Sequence, residues 1–317
     1  MSRLNKFFCA VMFLLASSLG LAADFSLFQM PPDSSRPWVY WFIMDGNLSK
    51  EGITADLESM KQQGIGGVII MEVNVGVPRG NVDFMSEQWQ ELFAHAVHEA
   101  ERLGLQITLN SGPGWTGSGG PWMKPEQSML HLVAAEKVVT GPVAFNESLP
   151  KPIPRKPFFG EGALPPDQEK ARKEFFKDVC VLAFPTPDGN SRIADIDEKA
   201  LYIRAPYSSA PNVKPRLESL LEYDHVAKEE TIAPSKMVNL TEHLNADGVL
   251  NWEVPAGNWT ILRFAATTTG ANTRPAPHPG LGLESSKMDR DYFDIHFNNY
   301  VTKLLDKIGK RQTDGKA

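Results

Sequence analysis

Three apolar runs, each ending abruptly in carboxylate or amide side chains, organise the first 110 residues. Residues 39–44 lead into Asp45-Gly46-Asn47, residues 67–71 into Glu72-Val73-Asn74, and residues 106–109 into Asn110. The stretches between them carry helical periodicity. Ile53, Leu57 and Met60 share one face of a first helix that Gly64 can terminate. In the second, Ser86 is a candidate N-cap, Glu87 favours the positive end of the dipole and Gly104 closes the far end. Its apolar face runs Trp89, Leu92, Phe93, Ala96, Val97, Ala100 and Leu103. Unbroken apolar strands alternating with helices predict a parallel sheet buried on both faces. A (β/α) barrel keeps its chemistry at strand C-terminal ends. The predicted fold class is therefore α/β, the N-terminal part of a (β/α)8 TIM-type barrel over residues 23–131.

From residue 132 the texture changes. Short strand-like runs at 132–139, 179–184 and 260–268 alternate with turns, and a stretch at 150–166 carries six prolines among Lys and Arg. Asp247-Gly248 and Ala256-Gly257-Asn258 punctuate β-branched and aromatic runs, as in antiparallel sandwiches and jelly rolls. Residues 132–275 are expected to form an inserted all-β sandwich, with the proline-rich stretch as an extended surface loop. Helical pattern returns within 276–317, where Phe293, Phe297, Tyr300, Val301, Leu304 and Ile308 form an apolar stripe that Gly309 ends. Three strands cannot close a barrel of eight, so a fragment of a longer protein is the expectation.

Composition narrows the function class. The formal charge of −6 argues against nucleic acid. Residues 1–22 have the basic end, apolar run and small-residue cleavage site of a secretory signal. Loss of Arg3 and Lys6 with that segment takes the charge from −6 to −8. The apolar run is short for a bilayer span, so no stable membrane anchor is expected. Cys9 would leave with the signal, and Cys180 reads as an inert thiol in a core strand. An exported chain without disulfides fits the periplasm or exterior of a bacterium. His95 and His98 miss the i, i+4 zinc spacing and read as solvated or hydrogen-bonded. The four Asn-x-Ser/Thr triplets, at Asn47, Asn146, Asn239 and Asn258, read as chance occurrences.

Barrel logic nominates Asp45 and Asn47 after strand one, Glu72 and Asn74 after strand two, and Asn110 after strand three as substrate-binding residues. Glu72 is also a candidate catalytic carboxylate. The loop that follows, Ser111-Gly112-Pro113-Gly114-Trp115-Thr116-Gly117-Ser118-Gly119-Gly120-Pro121-Trp122, offers Trp115 and Trp122 as flat faces for a sugar ring. Its glycines match neither phosphate-cradling pattern. Glycoside hydrolysis needs two carboxylates, and nothing in the sequence fixes a pair. A strand-terminal Asp or Asn can equally cap the next helix, and a tryptophan in such a loop can equally be a lid on the core.

Several of these stretches resemble one family. Arg36-Pro37-Trp38 through Asp45-Gly46-Asn47, Gly64-Ile65-Gly66-Gly67-Val68, Asn110-Ser111-Gly112-Pro113-Gly114-Trp115, and Gly280-Leu281-Gly282-Leu283-Glu284 through Lys287-Met288 to His296-Phe297 are similar to glycoside hydrolase family 106, the α-L-rhamnosidases. Ser286 stands where another acid would be expected before Lys287. The resemblance implies a large exported bacterial enzyme that removes rhamnose from an oligo- or polysaccharide by inversion, assisted by calcium. It also implies that the acid and base glutamates lie on later barrel strands, so this chain alone is expected to be inactive. The rival expectations are a barrel glycosidase for another sugar, such as galactose, and a non-catalytic carbohydrate-binding protein.

Overall fold

The computed structural model describes residues 28–155, 157, 164–189 and 230–309. The expected signal segment and Cys9, much of the proline-rich stretch, and the polar end beyond Gly309 lie outside them. The chain divides into two compact units, one of residues up to 110 together with those from 303 onward, the other spanning 111–302. These divisions differ from the 131/132 and 275/276 boundaries expected from texture.

In the first unit, β1 (Trp38–Met44), β2 (Gly67–Val73) and β3 (Gln106–Leu109) form a parallel sheet in the order β1-β2-β3. Trp41 lies beside Ile70, which lies beside Leu109. Helix α1 (Lys50–Gln62) follows β1, with Ser49 Oγ accepting the Gly52 N–H and Ile53 and Leu57 buried. Helix α2 (Glu87–Leu103) follows β2. Ser86 Oγ accepts the Trp89 N–H, and Gly104 ends the helix in the left-handed region at φ 65°, the backbone form glycine adopts without strain. Trp89, Leu92, Phe93, Ala96, Val97 and Ala100 are buried, as the spacing predicts. His95 Nε2 is hydrogen-bonded to Thr54 Oγ1 at 3.0 Å.

The expectation of burial on both faces is corrected at β1. Trp41 and Ile43 face the helices and are buried, whereas Trp38, Tyr40 and Phe42 are exposed, Tyr40 by 60%. Side chains alternate along a strand, and among the described residues helices cover one side of this three-stranded sheet.

The second unit is built on an antiparallel sheet in the order β4-β7-β5-β6. Its strands are β4 (Leu130–Ser148), β5 (Lys177–Pro185), β6 (Val238–Asn239) and β7 (Val249–Thr268), and α3 (Pro166–Glu174) precedes β5. Phe145, Val181, Leu240, Leu250 and Ile261 form the core on one side. Arg263 is buried beneath it, with both Asp178 oxygens accepting its guanidinium at 2.7 and 2.8 Å. Cys180 is half-buried on β5. One four-stranded sheet thus stands among the described residues where a two-layer sandwich was expected.

Asp247-Gly248 does turn the chain, with Gly248 N–H bonded to Asn245 O. The Gly257 position does not. It lies within β7 opposite Gly141, and the register slips between Gly141 and Val143. A bulge absorbs the glycine that punctuates the sequence pattern here.

The last helical stretch is also broken differently. Helix α4 (Arg290–Phe297) opens into a π turn, Asn298–Thr302, before α5 (Lys303–Ile308). The wide turn shifts the phase, so His296, Tyr300 and Leu304 are buried while Phe293 and Phe297 are exposed.

Candidate functional site

The β1 and β2 ends converge on a backbone knot. Asp45, at φ 44°, and Gly46, at φ 78°, turn the chain sharply after β1. The Asp45 N–H bonds to Val73 O at 2.9 Å. The segment 80–82 crosses this turn, with Gly80 N–H on Asp45 O at 2.8 Å and Val82 N–H on Gly46 O at 3.2 Å. A side chain on Gly80 would overlap the Gly46 carbonyl and Asn47 amide.

Glu72 lies under this knot. It shares the helix-facing side of β2 with Val68 and Ile70 and is 4% exposed. One carboxyl oxygen accepts the Gly46 N–H at 3.0 Å and the other accepts the Trp89 indole N–H from α2. Burial pushes its pKa from 4.5 up to about 7 against the pull of those two donors, and the nearby Asp45 charge adds to the rise. Asp45 is equally buried, at 4%, and its Oδ1 has no hydrogen-bond partner.

The other nominated residues are placed as follows. Asn47 is exposed, and its amide donates to Met44 O at 2.7 Å and Pro78 O at 2.9 Å. Asn74 closes a local turn by accepting the Gly76 N–H. Asn110 continues the ladder from its N–H to Ile70 O. Asp45, Asn47, Glu72 and Asn74 gather at the ends of β1 and β2, and Asn110 follows β3. Beside Asn47 opens a cleft of ≈410 Å³ lined by Trp41, Phe42, Ser49, Asp56 and Arg79, with the Trp41 indole N–H on Asp56 at 3.1 Å.

Trp115 belongs to the second unit and is described there alone. Its ring is 60% exposed, and its N–H is fixed to Arg274 O at 2.9 Å. Gly114, at φ 71°, lies against the Arg274 backbone, where a Cβ would come within 2.7 Å of the carbonyl. The middle of the loop thus rests on the backbone of residues 274–276. Trp122 is half-buried and packs on Tyr300 at 6.4 Å between ring centroids.

Sequence reasoning missed three contributors. Trp89 reads as helix core, and nothing local announces its bond to Glu72. Gly80 carries no motif, although a glycine in a long strand-to-helix loop hints at close backbone approach. His296 appeared as part of a motif without a role. The orientation of Glu72 was available from parity, since it follows Val68 and Ile70 at steps of two.

Calcium needs six to eight oxygen donors. Among the described residues no group of three or more His, Cys, Asp or Glu side chains converges. Glu72 already spends its oxygens on N–H donors. Among the described residues, the carboxylates at the β1 and β2 ends do not make up such a donor set.

Residues 29–317 match the family described as alpha-L-rhamnosidase, glycoside hydrolase family 106. The chain belongs to that family. It is 37% identical over 282 residues to a Formosa agariphila protein provisionally named a beta-glucuronidase, covering 89% of this chain and 22% of that protein. Its fold is similar to a solved rhamnosidase from Novosphingobium sp. PP1Y, with a TM-score of 0.65, 24% identity, and coverage of 90% of this chain and 38% of that one. The chain thus spans well under half the length of either relative. No described helix is long and apolar enough to cross a membrane.

Proposed function

We propose that this chain supplies sugar-binding surfaces, one in each unit, to an exported, inverting glycoside hydrolase of the α-L-rhamnosidase type. The family match over residues 29–317 carries the reading. The general acid that protonates the leaving oxygen and the base that activates water come from outside the described residues. Inversion requires two carboxyl groups about 6.5–9.5 Å apart with water between them, and Glu72 is sealed by Gly46 and Trp89. The contribution of this chain is binding. Trp115 presents an indole face to the C–H face of a ring, and the cleft beside Asn47 presents aromatic, carboxylate and guanidinium groups suited to hydroxyls.

A second reading rests on the Formosa relative, whose name points to a glucuronide. Calorimetric titration of the purified chain with L-rhamnose, a rhamnose-terminated oligosaccharide and D-glucuronate separates the two. Rhamnose-selective binding is expected, weakened about tenfold or more in Trp115→Ala, the loss typical of one stacked ring. Binding of glucuronate alone would move the assignment to the second reading. No hydrolysis of nitrophenyl α-L-rhamnoside is expected from the chain by itself, and turnover would show that the acid and base lie within it.

A further inference from the structure

One buried imidazole straps both ends of the glycine-rich loop that carries Trp115. His296 of α4 is 1% exposed. The Gly119 N–H donates to its Nδ1 at 3.0 Å, and its Nε2 lies 2.7 Å from the Ser111 carbonyl. A carbonyl only accepts and an amide only donates, so the ring is neutral with its proton on Nε2. Phe293, Trp122 and Tyr300 pack around it, with ring centroids 5.9, 5.8 and 6.0 Å away. Between the strapped ends the loop adds its own ties, Ser111 Oγ to Gly117 O and Thr116 Oγ1 to Pro113 O. Trp115 projects from it into solvent.

We propose that His296 is the positioning residue of this loop, holding its two ends so that the Trp115 indole stands ready for a sugar face while the ring is neutral, and releasing those ends when protonated. A second proton on Nδ1 would point at the Gly119 N–H, and two donors cannot share that position. Burial holds the imidazole below the ordinary histidine range against the opposing pull of its backbone partners, and the Lys287 cation adds slightly to the effect of burial. Among the described residues, Tyr300 is a titratable group packed on the ring. The loop itself, 111–122, contributes no charged side chain. The strap is therefore closed at neutral pH and opens in acid, below the usual histidine value. The proposal rests on Trp115 being the sugar platform.

Hydrogen exchange read by mass spectrometry on the purified chain tests it, with the β4 peptide as internal control and rates corrected for the intrinsic pH dependence of exchange. In the parent protein, protection of peptide 111–120 is expected at neutral pH and is lost in acid while β4 stays protected. His296→Phe keeps an aromatic ring but neither hydrogen bond, so the loop should exchange fast at every pH. His296→Asn offers an uncharged acceptor to Gly119, so protection should return without the acid release. Unchanged loop exchange in the Phe variant, or acid release that persists in the Asn variant, overturns the strap. If the Phe variant also loses β4 protection it has misfolded, and the parent and Asn pH series decide the question. Titration with a rhamnose-terminated oligosaccharide separates the two readings. Affinity that falls tenfold or more with loop release supports both. Affinity indifferent to Trp115→Ala, alongside an intact pH-dependent strap, removes the platform and leaves the strap standing.

Discussion

Gly80→Ala is expected to destabilise the first unit by about 3 kcal/mol or more, at the upper end of overpacking costs because the clash is with backbone. The new methyl would overlap the Gly46 carbonyl and the Asn47 amide, neither of which can rotate away. Relief requires the 80–82 segment to lift, which breaks the Gly80–Asp45 and Val82–Gly46 hydrogen bonds and admits water to Asp45 and Glu72. Gly76→Ala is the control. Gly76 sits in the same loop at φ 85° with open space around it, so its cost is the backbone term alone, about 1–2 kcal/mol. Denaturant unfolding of both variants checks the contrast. Equal midpoints for Gly80→Ala and the parent would show that the crossing is not a structural tie.

The second large effect is a pH dependence centred on Glu72. Its folded pKa of about 7 lies above the ordinary 4.5, so between those values the folded chain holds a proton that the unfolded chain has released. Stability from this group is therefore fully present below pH 4.5 and falls as pH rises toward 7. By linkage the loss is ~3 kcal/mol across the window. Glu72→Gln removes the titration but places an amide N–H against one of the two donors now on the carboxyl, Gly46 N–H or Trp89 Nε1–H. The variant should be less stable than the parent near pH 5, by about 1–3 kcal/mol for a spoiled buried hydrogen bond, and should close the gap or overtake it by pH 8. Parallel stability curves for the two proteins from pH 5 to 8 would remove the buried-proton account. The two predictions are coupled, since lifting the Gly80 segment hydrates Glu72 and should flatten the same profile.

Helix α2 was legible to the residue because its signals are local. Ser86 caps through its own hydroxyl, Gly104 is forced by a left-handed turn, and a full apolar face leaves no choice of side. The parallel strands were legible for the same reason, as was the placement of polar side chains at their ends. What a carboxylate does there depends on which side of the strand it takes and on groups far along the chain. Glu72 is defined by Trp89, seventeen residues on, and by a turn held from Gly80. The bulge at Gly141 and Gly257 reads as a turn until its partner strand is known, because glycine and proline serve both. The exposure of Phe293 and Phe297 is not legible, because a π turn leaves no signature in an apolar stripe that runs through it.

The β4–β7 ladder has a mechanical consequence. Leu130, at the start of β4, pairs with Thr268, at the end of β7, and the flanking segments run side by side through the Gly120–Leu283 and Ser128–Ser285 bridges. Both connections of the second unit therefore leave from one end of its longest ladder. Tension applied through residues 110 and 303 would load these pairs one after another, as a zipper opens, rather than shearing the ladder all at once. The Leu130–Thr268 pair would open first, while the bulged far end, around Gly141 and Gly257, is the last to feel the pull.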